Sequence, residues 1–298
     1  MTETRLSGVI AAIATAVDET GEPDCARSTA LARFLLDHGC DALNVLGTTG
    51  EATSFSIAQR RKVMSAYRDA GLPMERLMVG TGAAAPADAV ELTRHAAELG
   101  FAAALVLPPF YYKGVADDGL LAYLEAIVAA TEARPIPIYL YHFPALSGVP
   151  WHVALLGRIV SRFGPRIAGL KDSSGDLAFS RAAAAVAPGF TVFPSNEAAL
   201  MEARDGPFAG CISATVNLNA DLCERAYRGG DAAALETAVN IRRLFDGKPL
   251  VAGVKALLGH IHGDAAWARV MPPLTAFSAA DRARAVSGYD SLRARRVA

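Results

Sequence analysis

Lys171 is the residue whose setting in the sequence most strongly indicates chemistry. It follows the apolar run "IAGL" in "IAGLKDSSGD", residues 167–176, and the sequence turns polar directly after it. Lysine is seldom buried without a partner, and only five of the 29 basic residues in this chain are lysines. A lysine at the end of a buried strand therefore indicates a role that arginine cannot fill.

A lysine amine can attack a ketone and form a Schiff base, whose protonated nitrogen withdraws electrons from a neighbouring bond. Burial favours the neutral amine that this attack needs, whereas arginine stays protonated. Tyr141 in "YLYHFP" and Thr48 in "GTTGE" offer hydroxyls that could move protons to and from the adduct. The hydroxyl of Thr49 and the turn amides through Gly50 could hold a substrate carboxylate.

Each of these features also has a purely structural interpretation. Lys171 could be a surface residue or an ion-pair partner. The "GTTGE" segment could be an ordinary tight turn, with Glu51 in the first turn of a following helix. Lys255 also has apolar neighbours, but on a helix its stem can lie along the surface, so we interpret it as structural. His260 and His262 have no acidic or histidine partners nearby in the sequence, so we expect no metal site there.

The elements that must position these residues alternate along the chain. Apolar stretches rich in β-branched residues alternate with alanine-rich stretches of helical periodicity. The predicted strands span residues 9–17, 42–48, 77–82, 103–109, 136–144, 167–173, 191–196 and 210–215. One intervening helix is predicted to open after Pro86 and to close on Gly100.

This alternation predicts a (β/α)₈ TIM barrel. An open doubly wound sheet is the rival, but the glycine-rich nucleotide turn typical of that fold does not follow the first strand. We predict a catalytic barrel over residues 1–230 and a C-terminal helical extension over residues 231–298, where no strand pattern remains. Catalytic groups of a barrel lie at the carboxyl ends of its strands, which is where Thr48, Tyr141 and Lys171 are predicted.

Composition excludes several classes of function. The net charge is -1 and the basic residues are scattered, which disfavours a nucleic-acid partner. The longest uncharged stretch, "LGFAAALVLPPFYY", is too short and too rich in proline to cross a membrane, and the N-terminus lacks a signal-peptide pattern. The four cysteines form no C-x-x-C pair, which indicates reduced thiols in a cytoplasmic protein.

Several motifs together resemble one enzyme family. "GTTGE", "YHFP" and "GLKDSSG", with "GTGAAAPADAVELTRHAAELG" and "AGCISATVN", are similar to the dihydrodipicolinate synthase / N-acetylneuraminate lyase family over nearly the whole chain. The resemblance implies a (β/α)₈ barrel with a C-terminal helical layer, usually a homotetramer. It also implies a class I enzyme that forms a Schiff base with pyruvate or another 2-oxo acid and uses neither a cofactor nor a metal.

The resemblance assigns roles to the residues of the first two motifs and of the lysine motif. Lys171 matches the Schiff-base lysine, and Tyr141 matches the tyrosine that relays protons to it. Thr48 matches the relay threonine, and Thr49, next to Gly50, matches the ligand of the pyruvate carboxylate.

Other positions match the walls of the family's site. Tyr111 or Tyr112 matches a tyrosine lent across a subunit interface, and the spacing in "FYYK" leaves open which of the two it is. Ile212, before Ser213, matches a residue whose backbone lines the pyruvate pocket.

Two departures bear on the substrate. The lysine-pathway synthase has an arginine for its second substrate's carboxylate where this chain has Leu146, and losing such a clamp should cost several kcal/mol of binding, on the order of a charge-assisted pair. The "SNE" segment differs from both named patterns, so Asn196 and Glu197 are expected to face another polar tail, although Glu197 could only start a helix.

These features predict an aldolase or lyase for a 4-hydroxy-2-oxo acid, and "KDSSGD" resembles the branch that acts on 2-keto-3-deoxy sugar acids. A dehydratase that uses the same Schiff base and the lysine-pathway synthase remain alternatives. A non-catalytic sugar-acid-binding relative is a further alternative from another class.

Overall fold

A parallel sheet of eight strands forms the centre of the protein, whose computed structural model describes residues 5–294. The strands are β1 Gly8–Ala12, β2 Ala42–Val45, β3 Leu77–Gly80, β4 Ala103–Val106, β5 Ile138–His142, β6 Ile167–Asp172, β7 Thr191–Pro194 and β8 Gly210–Ser213. Their order is β7-β6-β5-β4-β3-β2-β1-β8. The amide of Ala209, just before β8, donates to the carbonyl of Val192 in β7 at 2.9 Å, which brings the sheet close to closure.

Helices follow the strands and surround them. They are α1 Cys25–Asp37, α2 Ile57–Asp69, α3 Pro86–Leu99, α4 Asp117–Ala130, α5 Pro144–Ser147, α6 Val153–Phe163, α7 Leu177–Ala184, α8 Leu200–Asp205, α9 Val216–Gly229, α10 Ala232–Arg243, α11 Leu250–Ile261 and α12 Ala279–Ala294. The last three form the C-terminal layer, and no strand follows β8 up to residue 294. The predicted TIM barrel with C-terminal helices is confirmed; residues 1–4 and 295–298 of the two predicted segments lie outside the described chain.

The predicted helix between β3 and β4 is confirmed as α3. Pro86 occupies its first turn, where the missing N–H is not needed for a helical hydrogen bond. Gly100 ends the helix with a φ of 82°, a left-handed conformation that glycine adopts without steric cost.

The observed strands are shorter than the predicted ones. Strand β1 ends at Ala12, yet Ile13, Ala14 and Ala16 beyond it are still buried. An apolar run therefore continues into the loops above the barrel, and the sequence does not mark where the sheet ladder ends. At β5 the reason is different, because Pro144 already starts α5.

Side chains of each strand alternate between the barrel interior and the helical layer. Ile10, Met78 and Phe193 fill the interior. In β6, Leu170 packs in the cluster beneath the helices, so the next side chain, Lys171, faces the interior. The apolar strand thus delivers one amine to the mouth of the barrel.

Candidate active site

Lys171 lies at the carboxyl end of β6, where it pairs in register with Tyr141 of β5 and Phe193 of β7. Only 3% of its surface is exposed. It lines a cavity of about 460 Å³, a volume typical of small-molecule sites. The amine is therefore largely buried, yet it remains accessible to a ligand that enters the cavity.

Tyr141 connects Lys171 to the loop that follows β2. The Nζ of Lys171 lies 4.3 Å from the centre of the Tyr141 ring. The Tyr141 hydroxyl lies 3.0 Å from the Thr48 hydroxyl, and either group can donate in this hydrogen bond. Trp151 Nε1 donates to the Tyr141 carbonyl at 3.1 Å, which fixes the end of the strand. The three predicted residues therefore form one connected group in the cavity wall.

The loop after β2 is a tight turn between two left-handed residues. Leu46 has a φ of 52° and Glu51 a φ of 55°. Between them, Thr48 and Thr49 reach the cavity wall. Gly50 lies behind that wall, where a Cβ would come within 3.1 Å of the Leu46 backbone. Glycine at this position allows the turn to close tightly.

Glu51 and Lys255 form an ion pair in which neither side chain is exposed. The other Glu51 oxygen accepts a hydrogen bond from the Met271 amide at 2.6 Å. Burial lowers the pKa of Lys255, and the Glu51 carboxylate opposes that shift. The pair connects the turn that carries Thr48 to helix α11.

This pair corrects two expectations from the sequence. The stem of Lys255 does not lie along the surface, because α11 buries it completely. Glu51 is not inside the first turn of a helix but precedes a short 3₁₀ turn, Ala52–Ser54. Their partnership joins positions 204 residues apart, which no local pattern in the sequence indicates.

A second buried acid lies behind β8. Ile212 lines the cavity, whereas Ser213 points away and donates to Glu197 at 2.9 Å. Thr215 also donates to Glu197, whose side chain has no exposed surface. Arg242 donates to the Ser213 hydroxyl at 3.2 Å, and its Nη1 lies 3.5 Å from the Glu197 carboxylate. Glu197 starts a short 3₁₀ turn, as one of its two interpretations expects, but it also anchors this cluster.

Several predicted site residues lie elsewhere. Asn196 accepts a hydrogen bond from the Ala198 amide at 3.0 Å and is not part of the cavity wall. Tyr111 and Tyr112 are 75% and 74% exposed and lie outside the wall, with their rings edge to face at 5.3 Å. Leu146 does line the cavity, from the short helix α5.

The sequence analysis missed the contribution of the C-terminal layer. Arg242 of α10, the start of α11 at residues 249–252, and residues 273–275 all line the cavity. Ser173 and Ser195, which follow β6 and β7, line it as well. The serines follow strand ends, so the rule that pointed to Lys171 could also have identified them. Arg242 lies on a helix, and no local sequence pattern indicates that this helix reaches the mouth of the barrel.

In residues 5–294, no three His, Cys, Asp or Glu side chains are grouped so that they could hold a metal ion. Over the same range, none of the helices combines the length and the apolar character that a membrane span requires.

Known proteins match nearly the entire chain. A relative from Chloroflexus aurantiacus, described as an uncharacterized DapA-like lyase, is 33% identical over 244 residues, which cover 79% of this chain and 80% of the relative. Dihydrodipicolinate synthase from Agrobacterium tumefaciens is 28% identical with a TM-score of 0.90, covering 96% of this chain and 99% of that one. YagE of Escherichia coli, solved in complex with pyruvate, is 25% identical with a TM-score of 0.87, covering 97% of this chain and 99% of YagE.

The sequence profile of the Dihydrodipicolinate synthetase family matches residues 5–287. This range includes every strand and all the residues of the cavity wall. The chain therefore belongs to the Dihydrodipicolinate synthetase family, whose members are lyases and aldolases.

Proposed function

We propose that this protein is a class I, pyruvate-dependent aldolase that cleaves or forms a 4-hydroxy-2-oxo acid of the 2-keto-3-deoxy sugar-acid type. One arrangement supports this most directly: the buried Lys171 amine lies in one cavity with Tyr141, whose hydroxyl is 3.0 Å from that of Thr48. An amine beside a short chain of hydroxyls is what imine formation and proton transfer require. This chemistry uses no cofactor.

In the cleavage direction, the Lys171 amine attacks C2 of the 2-oxo acid, and Tyr141 delivers the proton with which the carbinolamine loses water. The protonated imine accepts the electron pair of the C3–C4 bond while the C4 hydroxyl loses its proton. An aldehyde leaves, and the remaining enamine is protonated at C3. Water then hydrolyses the imine, which releases pyruvate and restores Lys171. Thr48 passes protons between Tyr141 and the cavity.

The turn after β2 is suited to the carboxylate next to the ketone. Thr49 lines the cavity together with Lys171. A hydroxyl and turn amides offer directional donors to an anion without a buried countercharge. Holding the carboxylate there would fix C2 relative to the amine, which lowers the entropic part of the barrier.

The remaining wall suits a hydroxylated tail. Leu146 offers no donor to a carboxylate from the helix after β5, while the hydroxyls of Ser173 and Ser195 line the same cavity. Hydroxyl groups of a sugar acid can pair with such serines. The two serine hydroxyls favour a hydroxylated aldehyde as the partner of pyruvate, and hence a sugar acid as the substrate, over aspartate semialdehyde, which has no hydroxyl groups to pair with them.

Borohydride trapping tests the covalent step. Incubation with pyruvate and borohydride should add the mass of reduced pyruvate to the peptide that contains Lys171, and the Lys171→Met variant should gain none. Lys255 serves as an internal control, since it is buried in an ion pair. An adduct on Lys255, or no adduct at all, would contradict the mechanism. A coupled assay for pyruvate release across 2-keto-3-deoxy acids then ranks the substrates, and formation of a 2,5-dioxo acid without pyruvate would identify a dehydratase.

A synthase that condenses pyruvate with aspartate semialdehyde is the second candidate. It is favoured by the 28% identity and near-complete coverage shared with the Agrobacterium tumefaciens dihydrodipicolinate synthase. Efficient condensation of these two substrates would support the synthase and contradict the inference from Leu146.

We further propose a homotetramer in which a tyrosine of the β4–α4 segment reaches the neighbouring subunit's site. Tyr111 and Tyr112 are highly exposed for aromatic side chains and lie outside the cavity of their own chain. Light scattering measures the assembly. Tyr111→Phe and Tyr112→Phe are compared separately. Only the variant that lacks the participating hydroxyl should slow pyruvate trapping.

A further inference from the structure

Arg242 contributes a second cationic group to the cavity that contains Lys171. Among residues 5–294, the cavity wall contains no acidic side chain, and its basic side chains are Lys171 and Arg242. They come from different parts of the fold, β6 in the barrel and α10 in the C-terminal layer. Because Lys171 is assigned to the ketone, Arg242 is the basic group left for an anionic part of the ligand.

The buried acid behind β8 holds Arg242 in place through one nitrogen. Nη1 makes all the contacts with Glu197, Ser213 and Thr215, at 3.5, 3.2 and 3.4 Å. Within residues 5–294, no protein group accepts a hydrogen bond from Nη2 or Nε. The Nε–Nη2 edge of the guanidinium therefore remains for a ligand, and that edge matches the two oxygens of a carboxylate.

We propose that Arg242 binds a second carboxylate at the far end of the substrate, which makes the substrate a 4-hydroxy-2-oxo diacid. This rests on the proposed function, because the carboxylate next to the ketone is assigned to the turn that contains Thr49. Leu146 offers no group that could bind an anion from the helix after β5, whereas Arg242 offers one from the C-terminal layer of the same cavity. The chain then releases pyruvate and an aldehyde that itself carries a carboxylate.

The test compares two acids of equal length and hydroxyl configuration, one ending in a carboxylate and the other in a hydroxymethyl group. For the wild-type enzyme, kcat/KM should favour the diacid by ~10- to 100-fold, as expected for a charge-assisted pair. Arg242→Gln should abolish this preference by slowing only the diacid, and Arg242→Lys should retain part of it. Arg243→Gln is the matched control, since Arg243 is the next residue on α10 and is exposed.

Equal losses on both acids, or a wild-type preference for the hydroxymethyl acid, would overturn the proposal. Pyruvate trapping on Lys171 in Arg242→Gln should match the wild type, and its loss would assign Arg242 to the first carboxylate instead. Calorimetry with both acids on the Lys171→Met variant measures the same preference without imine chemistry. A failed adduct with a retained diacid preference in calorimetry therefore rejects the Schiff-base chemistry, whereas a normal adduct without diacid selectivity rejects this inference alone.

Discussion

Lys171 and Tyr141 are register partners on adjacent parallel strands, and the amine lies 4.3 Å from the centre of the tyrosine ring. Their relative position is therefore set by the hydrogen-bond ladder between β5 and β6 rather than by a loop. Residues held by a sheet keep catalytic geometry more reliably than residues on loops. The expected effects of substitution at this site follow from that rigid pairing.

Tyr141→Phe removes the hydroxyl and keeps the ring beside Lys171. We expect pyruvate release to slow by roughly 100- to 10,000-fold, the range for loss of a positioned acid or base. Because the packing is retained, the melting temperature should change little. Stopped-flow assays measure the rate of pyruvate release, and borohydride trapping measures the rate of imine formation. If Tyr141→Phe is as fast as the wild type, Tyr141 takes no part in proton transfer.

Thr48→Val keeps the shape of the side chain and removes its hydrogen bond to Tyr141. We expect a smaller loss than for Tyr141→Phe, since the tyrosine can still exchange protons with water in the cavity. The double variant should be no slower than Tyr141→Phe alone, because groups that act as one chain have non-additive effects. Thr53→Val, on an exposed residue of the same loop, is the control. If the losses of activity in the two single variants add up in the double variant, the two hydroxyls do not act as one proton-transfer chain.

Lys255→Met leaves the Glu51 carboxylate buried without its partner. Breaking a buried ion pair in this way costs about 3–5 kcal/mol of unfolding free energy. The double variant Glu51→Gln/Lys255→Met should recover part of the loss, because no unpaired charge remains. Urea denaturation measures each value. Lys248→Met breaks the partly exposed pair with Asp281 and should cost no more than about 1 kcal/mol. Equal effects at the two lysines would contradict this account.

The buried ring of His142 should make the stability of the folded protein depend on pH. Its ring stacks on Phe179 at 4.3 Å, and its Nδ1 accepts a hydrogen bond from the Trp151 amide at 3.1 Å. Burial lowers the pKa of His142 below its usual 6.5, although Asp172 and Asp176 oppose the shift. The unfolded chain therefore binds a proton at His142 more readily than the folded chain does. The stability that the packed, neutral ring contributes is complete above pH 6.5 and is lost as the pH falls through the folded-state pKa.

The His142→Gln variant isolates that contribution. Urea denaturation at about pH 7.5 and about pH 5.5 should show a smaller loss of stability on acidification in the variant than in the wild type. His152→Gln is a control on an exposed histidine that pairs with Asp117. If His142→Gln and the wild type lose the same stability on acidification, the buried ring is not responsible.

The sequence predicted the barrel because each parallel strand is a continuous apolar run, and a run of that kind is visible locally. The rule that barrel sites lie at strand ends then placed Thr48, Tyr141 and Lys171 together, and the structure finds them in one cavity. Strand ends themselves were predicted too far along the chain, since residues such as Ile13 stay buried after the ladder stops.

Contacts between distant segments could not be predicted in this way. Lys255 has apolar neighbours whether it lies on the surface or in the core, and only its partner Glu51, 204 residues earlier, decides between them. Arg242 is one of two adjacent arginines near the end of α10, and only the packing of that helix determines which of the two reaches the cavity.

Two separate stretches of sequence form the cavity wall. The strand ends carry the nucleophile and its hydroxyls, while the C-terminal layer contributes Arg242 and the residues at the start of α11. Selection for a new substrate could thus act on about the last quarter of the gene and leave the bond-breaking groups untouched. Chimeras that exchange the C-terminal helices between relatives offer a direct way to diversify this enzyme, provided that Glu51 and its lysine are transferred as a matched pair.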